Sequence, residues 1–206
     1  MAIITISREF GSGGRELGKR LADLLGFRYY DKEILEVITQ QEKTNEWYAE
    51  KLLERMVVPN IPLHFGRSFS FYEPITQRAV ELLVAERNAI RLLAGQGNCV
   101  IVGRGANVIL KDNTPFNIFV YADMETKIKR CREYASDNET FSEKEIEKKI
   151  RQIDTARAKN IEILSGGKWG DKKEYHLCVN TGGLSIKNIA PLLAQYAKNW
   201  LGGNAE

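Results

Sequence analysis

The sequence predicts an α/β fold in which a parallel β-sheet is covered by helices on both faces. Three observations predict it. The apolar run "AIITIS" (2–7) passes through a glycine-rich turn into an amphipathic helix. Further apolar runs of strand length recur down the chain, separated by helical patterns. Strands alternating with helices in this way form parallel sheets, which are buried on both sides.

The elements follow in order. Residues 13–25 read as the first helix, with Leu17, Leu21, Leu24 and Leu25 on one face, and "FRYYD" (27–31) as a short second strand before helical material from Lys32 to about Gln41. "NCVIVG" (98–103), "FNIFVYA" (116–122) and "YHLCVN" (175–180) supply three more strands, and a last helix covers about Ile186 to Trp200. Two segments interrupt the alternation. The first, about 43–97, has helical ends around an irregular middle where Pro59, Pro62 and Pro74 break regular structure. The second, about 133–173, holds the charged helix "SEKEIEKKIRQIDTARAKNIEIL", capped by Ser142 with Glu145 three residues on, and ends in "SGGKWGD". Both read as insertions reaching over the sheet edge of a single domain, 1–206.

Composition narrows the functional classes. A hydrophobic content of 43% with 28% charged residues is that of a globular protein, and no apolar run approaches the roughly 20 residues that span a bilayer. No basic segment, apolar stretch and cleavage site precede the first strand, so the cytoplasm is the expected compartment. A net charge of +3 is too small to imply a nucleic-acid partner. Cys99, Cys131 and Cys178 are odd in number and widely spaced, and read as buried thiols.

The glycine-rich turn "REFGSGGREL" (8–17) raises the sharper question. A phosphate loop works because successive N–H groups converge on the anion at the positive end of a helix. Its usual pattern is G-x-x-x-x-G-K-[ST]. With Gly14 as the last glycine, Glu9 takes the first glycine's place, Arg15 the lysine's and Glu16 the hydroxyl's. A dinucleotide fingerprint is the rival, with Gly11, Gly13 and, 20 residues after Gly11, Asp31, but Ser7 to Phe10 lengthen the loop and Glu16 holds the third glycine's place. A purely structural turn is the third reading.

Arginines supply the rest of the pattern. Arg104 follows a strand, at the edge where open α/β sheets bind ligands, or else is a surface residue in a tight turn. Arg151, Asp154 and Arg157 share one helix face, as an ion-pair ladder or as an arm presenting guanidiniums to a transferring phosphoryl group. Arg130 is a further candidate, although a cation in that half of a helix also suits the dipole.

With "ITISREFGSGGRELGKRLA", "YYDKEIL", "VIVGRGAN", "IKR", "DTARA", "KWGD" and "CVNTGGLSI" in place, the chain resembles the cytidylate kinase-like family, in the nucleoside monophosphate kinase branch of the P-loop NTPases, from Ile3 to the last helix. The resemblance implies a three-layer P-loop kinase fold with a five-stranded parallel sheet in order 2-3-1-4-5. It also implies an acceptor-binding insertion at about 32–97 and a lid at about 133–173. The implied reaction is transfer of the γ-phosphoryl of ATP, with Mg2+, to a nucleoside monophosphate or similar small phosphorylated acceptor. Arg104 matches the arginine that grips the acceptor phosphate, Asp154 and Arg157 match the D-x-x-R of the lid, and Asp31 matches the aspartate closing strand two.

The expected roles follow from those matches. Gly11, Ser12, Gly13 and Gly14 cradle the donor phosphates and Arg15 neutralises them, with Glu16 turned outward. Arg157 stabilises transferring charge, with Asp154 as its orienter or a ligand of the acceptor. Asp31, Arg104, Arg130 and Arg151 bind substrate, and metal ligands are unassigned. His64, Phe65, Phe69, Phe71 and Tyr72 either line the acceptor pocket or pack under a loop. This chain departs from true cytidylate kinases at Lys32, where those enzymes have Ser or Thr, and at Gly105, where they have aspartate, besides the loop itself. A nucleotide-binding regulatory module on the same fold is the alternative, and a nicotinamide-dependent enzyme a weaker third.

Overall fold

The central strands β1 (Ile3–Arg8) and β3 (Cys99–Val102) carry apolar side chains to two different cores. In β1, Ile3 enters one core while Ile4 and Ile6 enter the other, and Thr5 between them is buried with its hydroxyl donating to Asn117 Oδ1 at 2.6 Å. β3 divides in the same way, Cys99 and Ile101 against Val100 and Val102. A strand that is apolar on both faces is stable only as the middle layer of three.

The computed structural model describes residues 1–42, 74–134 and 141–203. β1 leads into α1 (Gly14–Leu25), β2 (Arg28–Tyr30) and α2 (Glu33–Glu42); α3 (Pro74–Ala94) then precedes β3. The short α4 (Ala106–Ile109), β4 (Phe116–Tyr121), α5 (Met124–Glu133), α6 (Glu143–Ser165), β5 (Leu177–Asn180) and α7 (Ile186–Gly203) complete the chain. The five strands are parallel, in the order β2-β3-β1-β4-β5. Helices α1 and α7 bury Leu17, Leu21, Ile186 and Ala190 on one face of the sheet, and α2 and α3 bury Ile34, Ile38, Leu82 and Ile90 on the other. Each such fully buried Leu or Ile contributes about 1.5–3 kcal/mol.

Local differences from the sequence reading have physical causes. The buried stripe of α1 runs through Leu17, Leu21 and Leu25 along the i, i+4 ridge, which leaves Leu24 47% exposed. Pro74 does not break structure but opens α3, where its missing N–H costs nothing. Ser142 and Glu145 form the expected reciprocal cap of α6. Cys99 is buried while Cys131 and Cys178 are half-buried, and all three thiols are free. Pro59, Pro62 and the aromatic group His64, Phe65, Phe69, Phe71 and Tyr72 lie outside the described residues. No helix among the described residues is long and apolar enough to cross a membrane.

Candidate active site

The chain leaves β1 toward β2 on one side of the sheet and reaches β4 on the other, so the order reverses at β1 and a crevice opens at its carboxyl end. A cavity of about 1170 Å³ occupies that place, bounded by the 8–16 segment, Asp31 and the facing sides of α5 and α6. Eight basic and five acidic side chains line it among the described residues, a balance that leaves room for a polyanion.

The floor is the glycine-rich turn. Gly11 and Gly13 hold φ of 77° and 80°, and Gly13 caps α1 with no side chain bonded to the helix end. The first N–H groups of α1 therefore have neither an intrahelical acceptor nor a side-chain cap, which makes that turn an anion seat. Gly14 is already helical, so the last glycine of the loop pattern is Gly13 rather than Gly14. With two adjacent glycines the spacing alone could not decide this. The pattern's lysine position then falls on Gly14, its hydroxyl on Arg15 and its first glycine on Arg8. Room explains Gly14 too, because a Cβ there would lie 2.5 Å from Arg8 Cβ and 3.0 Å from its Cγ.

Side chains from distant elements fasten this loop residue by residue. Phe10 N–H donates to Asp154 Oδ1 of α6 at 2.7 Å. Lys127 of α5, buried, bridges Glu9 Oε2 at 3.0 Å and Asp154 Oδ2 at 3.3 Å. The Ser12 carbonyl accepts from the Thr181 hydroxyl at 2.7 Å and from Arg130 at 2.9 Å, and Arg130 also donates to the carbonyls of Thr181 and Leu184. Arg157 donates to the Arg8 carbonyl at 2.9 Å and lies over the Phe10 ring. Burial pushes the Asp154 carboxyl above the usual carboxylate value, against the pull of Phe10 N–H, Lys127 and Arg157.

Above the loop stands a cluster of guanidiniums. Arg8 lies 3.7 Å from Asp31 Oδ1, and Arg15 reaches Asp31 Oδ2 at 2.5 Å. Arg104 is held at 2.6 Å by Glu86, a carboxylate buried on the inner face of α3. Desolvation first, then repulsion from Arg157, Arg104 and Arg15, pulls the Arg8 guanidinium down to about 9; Asp31 opposes the shift only in part. Arg8 remains cationic at neutral pH, and its burial, more than the repulsion of its neighbours, is what lowers it. Residues 103–105 turn with φ of 82°, 56° and 66°. Gly103 has no side chain because the Arg8 guanidinium fills that place, and a Cβ at Gly105 would meet Leu164 of α6 at 2.5 Å.

The structure brings Gly11, Gly13, Gly14, Arg15, Asp31, Arg130 and Arg157 to one cavity, with Asp154 behind the loop and Arg104 on the side of α3. Other expectations need correction. Ser12 is fully buried and its hydroxyl donates to the Glu9 carbonyl at 2.8 Å, so it does not face an anion. Arg130 is a staple between the loop and the strand-five turn, with all its described bonds going to oxygens of the protein. Arg151 is exposed on the far side of α6 and pairs with Glu147 one turn away, since i, i+3 spacing does not keep Arg151 on the face of Asp154 and Arg157 that meets the loop. Glu16 lies along the helix, bonded to Arg20 and Tyr134. Among the described residues no three His, Cys, Asp or Glu side chains gather as a metal-holding group, and positions 15 and 16 lack the hydroxyl of the usual loop.

Arg8, Lys127, Glu86 and Thr181 escaped the sequence reading. Glu86 left a signal, a charge between Leu82, Ala85, Ala89 and Ile90 on an otherwise apolar helix face. Lys127 left a weaker one, at i, i+3 from Arg130.

A family model of the cytidylate kinase-like family matches residues 3–183. The chain belongs to the cytidylate kinase-like family. A solved structure of an uncharacterized protein from Eubacterium ventriosum ATCC 27560 shares 26% identity, with a TM-score of 0.68 over 96% of this chain and 98% of its own. Shikimate kinase from Bacteroides thetaiotaomicron matches at 16% identity and TM-score 0.56, covering 96% of this chain and 98% of that one. Shikimate kinase from Acinetobacter baumannii, in complex with shikimate, matches at 16% and 0.53, covering 99% and 94%. Both shikimate kinases share the P-loop kinase fold with this family member. No curated protein matches the chain.

Proposed function

We propose that this family member is an ATP-dependent phosphotransferase whose acceptor is a nucleoside monophosphate or a similar small phosphorylated molecule. One observation carries the reading: four arginines, 8, 15, 104 and 157, converge beside the uncapped start of α1. Such an arrangement stabilises charge spread over phosphoryl oxygens and needs little reorganisation when the phosphates arrive. ATP fits this cradle by its phosphates, and Mg2+ would arrive with the nucleotide.

The carboxylates favour a phosphorylated acceptor. Asp31 is bound to Arg15 and Asp154 to Phe10 N–H and Lys127, so an acceptor hydroxyl would have to compete with those partners for either carboxylate. A phosphate acceptor needs no base, because its attacking oxygen is already anionic. That oxygen bonds to the γ-phosphorus as the bond to the β–γ bridging oxygen breaks, and the electron pair leaves with ADP. Arg157, on an arm docked to the loop, would meet the charge on the equatorial oxygens.

The test is incubation with ATP, Mg2+ and a panel of nucleoside monophosphates, with shikimate as a hydroxyl acceptor. Acceptor-dependent ADP formation is expected with a monophosphate. Arg157→Ala is expected to lower kcat by roughly 100-fold or more. A second reading has its own observation, since Arg15 and Arg104 are held by Asp31 and Glu86 at 2.5 and 2.6 Å. Nucleotide binding by calorimetry without turnover of any acceptor would favour a regulatory module and overturn the kinase reading.

A further inference from the structure

We propose that Arg8 grips the donor's outer phosphates, acting from the end of β1 where the usual loop uses a lysine on the first turn of α1. The assignment rests on the kinase reading and deepens it. Three observations converge on Arg8. The capping role and left-handed φ of Gly13 place the pattern's lysine position at Gly14, which has no side chain to offer. The space a residue-14 side chain would start into is filled by Arg8 Cβ and Cγ, so the two residues compete for one volume. Gly103, across the crevice, leaves the room that the Arg8 guanidinium takes.

Arg15, the residue next in line for this role, is poorly placed for it. Its guanidinium is bound to Asp31 at 2.5 Å and its side chain is largely exposed. Arg8 sits deeper, 3.7 Å from the same carboxylate and pressed on by Arg15, Arg104 and Arg157. It therefore has charge to give, and lies between the α1 end that cradles the donor and the Arg104 turn on the acceptor side. Its carbonyl, held by Arg157, fixes the strand end from which it projects. A planar guanidinium can bond two phosphoryl oxygens at once, which a lysine cannot do in the same geometry.

Calorimetric titration with inorganic tripolyphosphate tests this without knowing the acceptor. Arg8→Met is expected to weaken tripolyphosphate binding by roughly tenfold or more while Tm is held or raised, because a repelled buried charge is removed. Arg8→Gly is expected to lose binding in the same way. Adding Gly14→Lys to it rewrites the loop into the usual pattern and should restore affinity, whereas Gly14→Lys alone collides with Arg8 and should lower Tm. Arg8→Met that binds like the wild type overturns the assignment and leaves the kinase reading standing. So does lost binding that comes with a lowered Tm and is not recovered by the double variant. Wild-type protein that binds neither tripolyphosphate nor ATP sinks the kinase reading, and this assignment with it.

Discussion

Lys127 shows how much of the site depends on single side chains far from it in sequence. It neutralises Glu9 in the loop and Asp154 on α6 from a buried position. Lys127→Met would remove the cation from Glu9 and leave Asp154 with Phe10 N–H and Arg157. A loss of about 3 kcal/mol is expected, the low end for a broken buried pair because Glu9 is partly solvated. Urea unfolding measures it. Gly105 offers a different test. An aspartate at this position would have to adopt φ near 66° and push Leu164 aside. Gly105→Asp is therefore expected to lose about 1–3 kcal/mol rather than gain affinity for a cytidine nucleotide, read as a lower Tm with unchanged CMP binding. At this scale the sequence was least legible. Arg8 is the last residue of an apolar strand and Lys127 stands among other basic residues of "KIKR", and both look like solvated charges until the chain is folded.

At the scale of elements, α6 is both arm and anchor. Its 23 residues begin at the reciprocal cap of Ser142 and Glu145 and, near the middle, deliver Asp154 to Phe10 and Arg157 to Arg8. Ser142→Ala is expected to cost about 1 kcal/mol, seen as faster amide exchange over the first turns of α6. The cap, the helix length and the face shared by Asp154 and Arg157 were all readable, because they are local patterns. That Arg151 falls outside the site was not, since it depends on which side of the helix the loop meets. The pairing of β4, β5 and α7 carries a pH-sensitive contact. His176 lies against Trp200 at 4.6 Å between ring centres and accepts the Asn117 N–H at Nδ1. Burial holds its pKa below the ordinary 6.5. The folded state thus disfavours the imidazolium, so this contribution is complete above pH 6.5 and is lost as pH falls through the lower folded value. His176→Gln is expected to flatten that acid limb in unfolding curves taken across the window.

For the whole molecule, the strands, the glycine turn and a parallel sheet were legible in contiguous residues, and the sheet order followed from the family resemblance that the quoted motifs carry. The charge balance of the crevice was not legible, since its members come from α1, β1, α3, α5 and α6 and are sorted only by packing. The excess of basic side chains there makes polyphosphate affinity fall as salt is added, and steeply, because several cations share one screened ligand. Titrations from low to physiological ionic strength measure this, and a flat response would mean that the cluster is neutralised internally.

The fastening of the phosphate loop also bears on synthesis. Phe10 waits for Asp154, Arg8 for Arg157 and Ser12 for Thr181, 144 to 169 residues later in the chain. The loop is made well before the groups that finish it. A growing chain that stops before Thr181 holds the strand, the glycines and α1 but lacks the groups that fix their backbone. The backbone of the loop is thus fully fastened only once the chain extends through Thr181.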